Sequence, residues 1–347
     1  MIYPWKWRLA DLDPPAEDAP KVFSCFACGG GSTMGYKRAG FKVVGNVEID
    51  PRIAEVYTAN HHPLHSYIMD IRDFNKLREI PEDLKDLDVL DGSPPCSTFS
   101  MAGSREEAWG KKKQFREGQA EQTLDDLFMV FLDTVEKLRP KVVVAENVEG
   151  MLRGNARGYV AEILDRFQAL GYQVQLFKLN ARDYDVPQER ERIFFIANRM
   201  GYPKLTIPKS ETPPIPFGEV RTPHGIPYPP GSKRDYCARN IIPGDKNLGD
   251  VTLRLFKKET MFNLQILYDE KVAKTLTANA STIRFCDKTQ LSNGDMINIS
   301  SFPQDYNFGN QKVGYICGMS VPPSLMAHVA HAIKEQWLDK EADACPN

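Results

Sequence analysis

"KVFSCFACGGGSTMGYKRAGF", Lys21 to Phe41, decides the fold. Its first seven residues read as a strand. The glycines that follow permit a tight turn and let a ligand approach the backbone at a helix N-terminus. Gly29, Gly31 and Gly35 spell GxGxxxG rather than the GxGxxG of dinucleotide enzymes, so a plain structural turn stays as open as a ligand site.

Working outward, strands and helices alternate. "FKVVGNVEID" reads as strand, "PRIAEVYTANH" as helix, "SYIMD" as a short strand and "LDVLDGS" as strand. "EQTLDDLFMVFLDTVEKLRP" has helical apolar spacing and stops at Pro140. "KVVVAENV" is apolar throughout, as a central parallel strand covered on both faces should be. A helix near "YVAEILDRFQALG" precedes the strands "YQVQLFKLN" and "RIFFIANR". Too few residues separate those two for a helical crossover, so an antiparallel hairpin edge is expected. The pattern predicts an α/β fold, a doubly wound and mostly parallel sheet.

Residues 1–20 carry two tryptophans and four prolines without periodicity and read as an arm. Residues 21–199 form the large domain of this reading. Beyond them the composition shifts: residues 200–230 hold nine prolines, and residues 200–271 hold 11 Lys/Arg against 8 Asp/Glu, a local excess of 11 − 8 = 3. That stretch is expected to be a smaller, loop-rich domain, with 272–308 leading back and 309–338 completing the large one.

The chain has 347 residues, 42% hydrophobic and 26% charged, with a net charge of −2. It is not a strongly basic nucleic-acid binder overall, so any polyanion site must be local. With no apolar run long enough for a bilayer and no leader pattern, a soluble cytoplasmic monomer without a membrane is expected. Seven scattered cysteines argue for reduced thiols. Cys25 and Cys28 form a CxxC pair with no second pair at zinc spacing, and Pro63 breaks the His61, His62, His65 cluster, so no metal site is expected.

Strand ends carry the candidate chemistry. Glu48 closes the second strand about twenty residues past the glycines, where an acid bonds ribose hydroxyls; Asp70 closes the third, placed for an adenine amine. Ile49 and Ile71 follow them. The fourth strand delivers Ser93-Pro94-Pro95-Cys96, two prolines that stiffen the turn and aim a thiol. The fifth delivers Glu146 and Asn147. In "QERER", Gln188, Arg190 and Arg192 alternate and are expected to share a face as an anion clamp. Lys111 to Lys113 lie in a glycine-containing loop that could close over a polyanion.

In this order the motifs resemble the C5-cytosine DNA methyltransferases, from about Lys21 to Leu338. "FACGGGSTMGYKRAGF" is similar to the family's FAGxGGxxxGxxxAGF and "DGSPPCSTFS" to GPPCQxFS; "ENV", "QERER", "FPQDY" (302–306) and "GMSVPP" (318–323) follow in family order. The resemblance implies S-adenosyl-L-methionine as cofactor and a cytosine flipped out of double-stranded DNA as substrate. It implies Cys96 as the nucleophile at C6, Glu146 holding N3 and the exocyclic amine, and Arg192, with Arg190 near, orienting Glu146 and the substrate. It further implies Phe26 stacking on adenine, Gly29 and Gly31 lining the methionine end, Glu48 and Asp70 on ribose and adenine, and the backbone near Pro95 and Val321 completing the pocket. Residues 200–271 would be the target-recognition region, and a cognate restriction endonuclease a functional partner. Cys28, Ser93, Ser97 and Met319 depart from the family pattern. Three rivals stand beside this reading: a nicotinamide oxidoreductase, an inactive DNA-binding relative, and a tRNA-directed enzyme.

Overall fold

Apolar residues on successive positions have no solvent face to offer, so the strand they form must be covered on both sides. Val142 to Ala145 are all fully buried, and so are Val22 and Phe23. A computed structural model describes residues 1–95, 112–113, 122–123, 127–152, 156–279 and 282–339. Within it the strands β1 (Lys21–Cys25), β2 (Lys42–Glu48), β3 (His65–Ile68), β4 (Val89–Gly92), β5 (Val142–Val148), β6 (Gln173–Asn180) and β7 (Glu191–Asn198) make one sheet in the order β3-β2-β1-β4-β5-β7-β6. Strands β1 to β5 pair in parallel. This is the doubly wound α/β sheet that the alternation of strands and helices predicts.

The last two strands lie at the edge in reverse chain order. β7 runs antiparallel beside β5, and β6 takes the outside. Burial explains the exchange. Ile193 to Ala197 are an unbroken buried run and need a neighbour on each side, whereas β6 alternates between half-buried and exposed positions.

The chain divides into two compact units, each assembled from separated segments. The unit holding the sheet comprises residues 12–179, 191–208 and those from 326 onward. Its helices are α1 (Gly31–Arg38), α2 (Pro51–His61), α3 (Ile71–Lys76), α4 (Leu127–Leu138) and α5 (Ala156–Ala169). Asp50 caps α2 by accepting from Arg52 N at 3.0 Å, with Pro51 in the first turn, where a missing N–H costs nothing. The core joins Phe23, Phe74, Phe131, Phe167 and Phe195 across the sheet. Gly92 admits one of these rings: a Cβ there would lie 2.5 Å from Phe131.

The second unit comprises Met1–Asp11, Asn180–Arg190 and Lys209–Leu325. Its proline-rich stretch forms only the short helix Phe217–Val220 before residue 231, as prolines there dictate. A buried ion pair, Arg284–Asp295 at 3.2 Å with both side chains wholly enclosed, ties its strand Thr282–Arg284 to the helix Asn293–Ile299. Asp295 also completes a capping box with Ser292 and accepts from Thr222 N at 2.7 Å. The first eleven residues of the amino-terminal arm are seated within this unit. Trp7 Nε1 donates to Ser301 O at 2.9 Å, and the amides of Leu9 and Ala10 donate to Asp305 at 2.7 and 3.0 Å.

Candidate active site

The carboxyl ends of parallel strands face the ligand crevice of an open α/β sheet. β1 ends into Phe26, whose amide donates to Val47 O at 3.1 Å and whose ring packs on the core. The turn beyond it is strongly bent. Phe26 and Cys28 have φ of 55° and 46°, and Gly30, which precedes α1, has φ of 75°. Cys28 stands where the resembled family has glycine, and this left-handed backbone is the physical reason glycine suits the position. The Cys28 amide donates to Glu48 Oε2 at 3.0 Å, and the Asp50 amide to Glu48 Oε1 at 3.0 Å. Burial raises the Glu48 carboxyl above the usual range, opposed by those amides. Asp70, at the exit of β3, caps α3 through Arg72 N at 2.8 Å and pairs with the Arg72 guanidinium at 3.3 Å. Gly31 opens α1, Ile49 is half-buried behind Glu48, and Ile71 is buried as the first residue of α3.

Gly30 and His61 pack together in the turn; the GxGxxxG spelling passes over Gly30, and the sequence shows His61 only as part of a broken histidine cluster. The His61 ring lies so close to Gly30 that a Cβ there would sit 2.1 Å from Nε2, and the same nitrogen is 3.3 Å from Gly29 O. Burial, chiefly, holds the imidazole neutral, with its pKa lowered to about 3. A histidine ten residues into a helix carries no local sign of this contact.

At the next strand ends, antiparallel pairing sets Glu146 opposite Phe194 and Arg192 opposite Val148. Glu146 and Arg192 are therefore diagonal neighbours on one face. Arg192 Nε meets Glu146 Oε1 at 2.9 Å, with only 14% and 12% of the two side chains exposed. Asn147 points elsewhere: its Nδ2 donates to Pro94 O at 3.0 Å, binding the end of β5 to the proline pair. Pro95 is half-buried behind Pro94. Cys96, Ser97 and Lys111 lie outside the described residues, as does most of that loop, whereas Lys112 and Lys113 pair antiparallel with Thr123 and Gln122.

The clamp expected from "QERER" separates. Arg192 belongs to the sheet unit, whereas Gln188 and Arg190 belong to the other. Arg190 is buried and its guanidinium donates to Leu276 O, Gly318 O and Ser320 O at 3.0, 2.9 and 3.1 Å. Gln188 donates to Ile299 O at 3.1 Å and accepts from Leu276 N at 3.1 Å. Val321 is buried in that same unit, and Met319 is 41% exposed.

Comparison with known proteins bears directly on this geometry. The family model for C-5 cytosine-specific DNA methylases matches residues 20–335. The chain belongs to that family. Among curated members of this methylase family, Type II methyltransferase M.NgoPII of Neisseria gonorrhoeae is 34% identical over 205 residues, 59% of this chain and 55% of that protein. M1.HphI of Haemophilus parahaemolyticus is 36% identical over 53% of this chain and 47% of its own length. The chain thus spans about half the length of the curated relatives it matches first. M.NgoFVII of N. gonorrhoeae aligns over 92% of this methylase and 87% of itself at 25% identity. In fold, Spodoptera frugiperda DNMT2 superposes with a TM-score of 0.61 over 90% of this chain and 98% of that one, at 16% identity. An E. coli prophage protein assigned as a DNA modification methyltransferase reaches 0.66 over 92% and 99%, at 18% identity. The methylase family implies a reaction dependent on S-adenosylmethionine. Among the described residues no helix is long and apolar enough to cross a membrane.

Proposed function

We propose that this chain is a DNA (cytosine-5)-methyltransferase acting on a cytosine flipped out of double-stranded DNA. The observation that carries the reading is the half-buried Glu146–Arg192 pair at the end of β5, beside an Asn147 that holds Pro94, two residues before Cys96.

The donor set fits S-adenosylmethionine. Glu48 accepts the main-chain amides of Cys28, Asp50 and Ile49, and a carboxylate has about four acceptor sites, so some acceptor capacity remains for ribose hydroxyls. Phe26 offers an aromatic ring and Asp70 an acceptor for the adenine. Gly29 and Gly31 would line the methionine end, with Ile49, Ile71 and Pro95 as further walls. Bound there, S-adenosylmethionine supplies an electrophilic methyl group.

The chain's own residues do the rest. The Cys96 thiolate adds to C6 of the cytosine, which makes C5 nucleophilic. Glu146 accepts from the exocyclic amine and stabilises protonation at N3 as charge develops on the ring. Arg192 keeps that carboxylate aimed. Loss of the C5 proton after methylation expels the thiolate. Extruding the base costs roughly a few kcal/mol, which contacts from the protein must offset. Residues 200–271 would select the target within a catalytic frame of 21–199 and 309–338, joined by 272–308. The bacterial Type II relatives are in keeping with a prokaryotic enzyme, and we infer a cytoplasmic monomer, host- or phage-borne, with a restriction endonuclease as its functional counterpart.

The test is bisulfite sequencing of DNA from cells expressing the chain, beside Cys96→Ser. Protection of cytosines at one sequence context, lost in Cys96→Ser, is expected. Methyl transfer confined to tRNA, or undiminished in Cys96→Ser, would overturn the reading.

A further inference from the structure

Strand β4 is apolar except at Asp91, a carboxylate with 3% of its surface exposed. The parallel register sets Asp91 beside Ser24 of β1. Ser24 Oγ donates to Asp91 Oδ2 at 2.8 Å, and Tyr36 OH of α1 to Oδ1 at 3.4 Å. The hydroxyl of Ser32, in the first turn of α1, also donates to it. Asp91 is thus bound to both arms of the Phe26–Gly31 turn: the strand that enters it and the helix that leaves it. It also precedes Gly92 and the Ser93-Pro94-Pro95 exit. Its titratable neighbours are Cys25 on β1, Tyr36 on α1, Tyr57 on α2 and Glu146 on β5. Burial keeps Cys25, Tyr36 and Tyr57 protonated, and Glu146 is engaged by Arg192. Among the described residues, no basic side chain forms an ion pair with Asp91.

A buried carboxylate without a cationic partner is an unbalanced charge, and folds keep such a group only neutral or facing a positive ligand. We propose that Asp91 is a specificity-determining residue of the donor site, whose negative charge favours the sulfonium donor over the neutral thioether left after methyl transfer. The proposal rests on the donor reading above. Its hydroxyl partners fix where the charge sits relative to the glycine turn, and the methyl transfer itself removes the positive charge that Asp91 attracts. Product release is then favoured by the chemistry.

The group titrates where this can be read. Burial pushes the carboxyl up to about 7, Glu146 adding to the push and the three hydroxyls opposing it. A positive ligand favours the ionised form, so sulfonium affinity must rise as pH increases through that value. The thioether carries the same amino and carboxyl groups, so the ratio of the two dissociation constants isolates the sulfonium charge.

The experiment is calorimetric titration of the full chain with S-adenosylmethionine and with S-adenosylhomocysteine at about pH 6 and about pH 8.5, on either side of the transition. The preference for the sulfonium is expected to rise about tenfold across this range, the change that one unit of linked pKa shift permits. In Asp91→Asn the preference should be small and independent of pH. Ser24→Ala keeps the acid but removes a hydroxyl that stabilises its charge, so the midpoint should move to higher pH. That second variant reads the proposal even where Asp91→Asn folds poorly. A wild-type ratio that does not change with pH, or one that changes equally in Asp91→Asn, overturns the assignment while leaving the donor reading intact. Failure of the wild type to bind either compound overturns the donor reading itself.

Discussion

A single methyl group placed at residue 30 measures how tightly the donor turn is built. In Gly30→Ala the new Cβ would stand 2.1 Å from Nε2 and 2.5 Å from Cδ2 of His61, at a φ of 75°. Left-handed backbone costs a residue with a Cβ roughly 1–2 kcal/mol. Moving a packed ring aside costs roughly 1–3 kcal/mol. His61 has little room to move, because its ring packs edge-on against Tyr57 with centroids 4.6 Å apart. The expected loss is about 2–5 kcal/mol, a large share of a typical domain's stability. A double-mutant cycle with His61→Ala divides it. Without the ring the steric share should vanish, leaving only the backbone cost, so the coupling should be about 1–3 kcal/mol in favour of the pair. Urea denaturation gives the stabilities, and calorimetry with S-adenosylmethionine tests the proposed donor site in parent and variant alike. A cycle without coupling, or a Gly30→Ala chain as stable as the parent, would refute the close contact on which this reasoning stands.

Cys28→Gly removes a Cβ from backbone at φ 46° and should raise the melting temperature, by up to about 1 kcal/mol of stability once glycine's entropy cost is set against the relief. A lower melting temperature would show that the cysteine's contacts outweigh the strain. Arg190→Lys replaces a fork that grips three carbonyls with a point charge; with each charged hydrogen bond worth roughly 1.5–3 kcal/mol and part recovered by lysine, the urea midpoint should fall by the equivalent of about 2–5 kcal/mol. An unmoved midpoint would deny the clamp. His61 sets an acid limit: its pKa is lowered to about 3 from 6.5, so the folded state binds fewer protons between those values. Its share of stability is complete above pH 6.5 and is lost as pH falls toward 3, by at most about 2–3 kcal/mol at pH near 4.5. The fall in urea midpoint between neutral and that pH should be smaller in His61→Phe; an equal fall would assign acid sensitivity elsewhere.

Much of this molecule is legible in its residues because period and burial are local signals. The apolar run before Glu146 marked a central strand, and the acids at 48 and 70 marked strand ends that the structure also places at strand ends. The edge order was recoverable in principle, since "RIFFIAN" is continuous where "QVQLFKLN" alternates. Other features are long-range and leave no local trace. Arg190 and Arg192 alternate along the chain as a clamp would, yet carbonyls from 86 to 130 positions away capture the first and a neighbouring strand holds the second. The left-handed residue of the glycine run is Gly30, which the GxGxxxG spelling passes over. Asp91 was visible as an acid inside an apolar strand, but its meaning depends on Ser24, Ser32 and Tyr36 arriving from other elements.

The seat of the amino-terminal arm sets a timetable for biosynthesis. Trp7 leaves the ribosome well before its acceptor does: the Ser301 carbonyl emerges 294 positions later. At ordinary elongation rates that is a delay of roughly 15 to 60 seconds. During that interval the aromatic, proline-broken segment around Trp7 lacks the carbonyl that receives its indole. A product terminated before Ser301 lacks that carbonyl altogether, so its Trp7 indole never finds this partner.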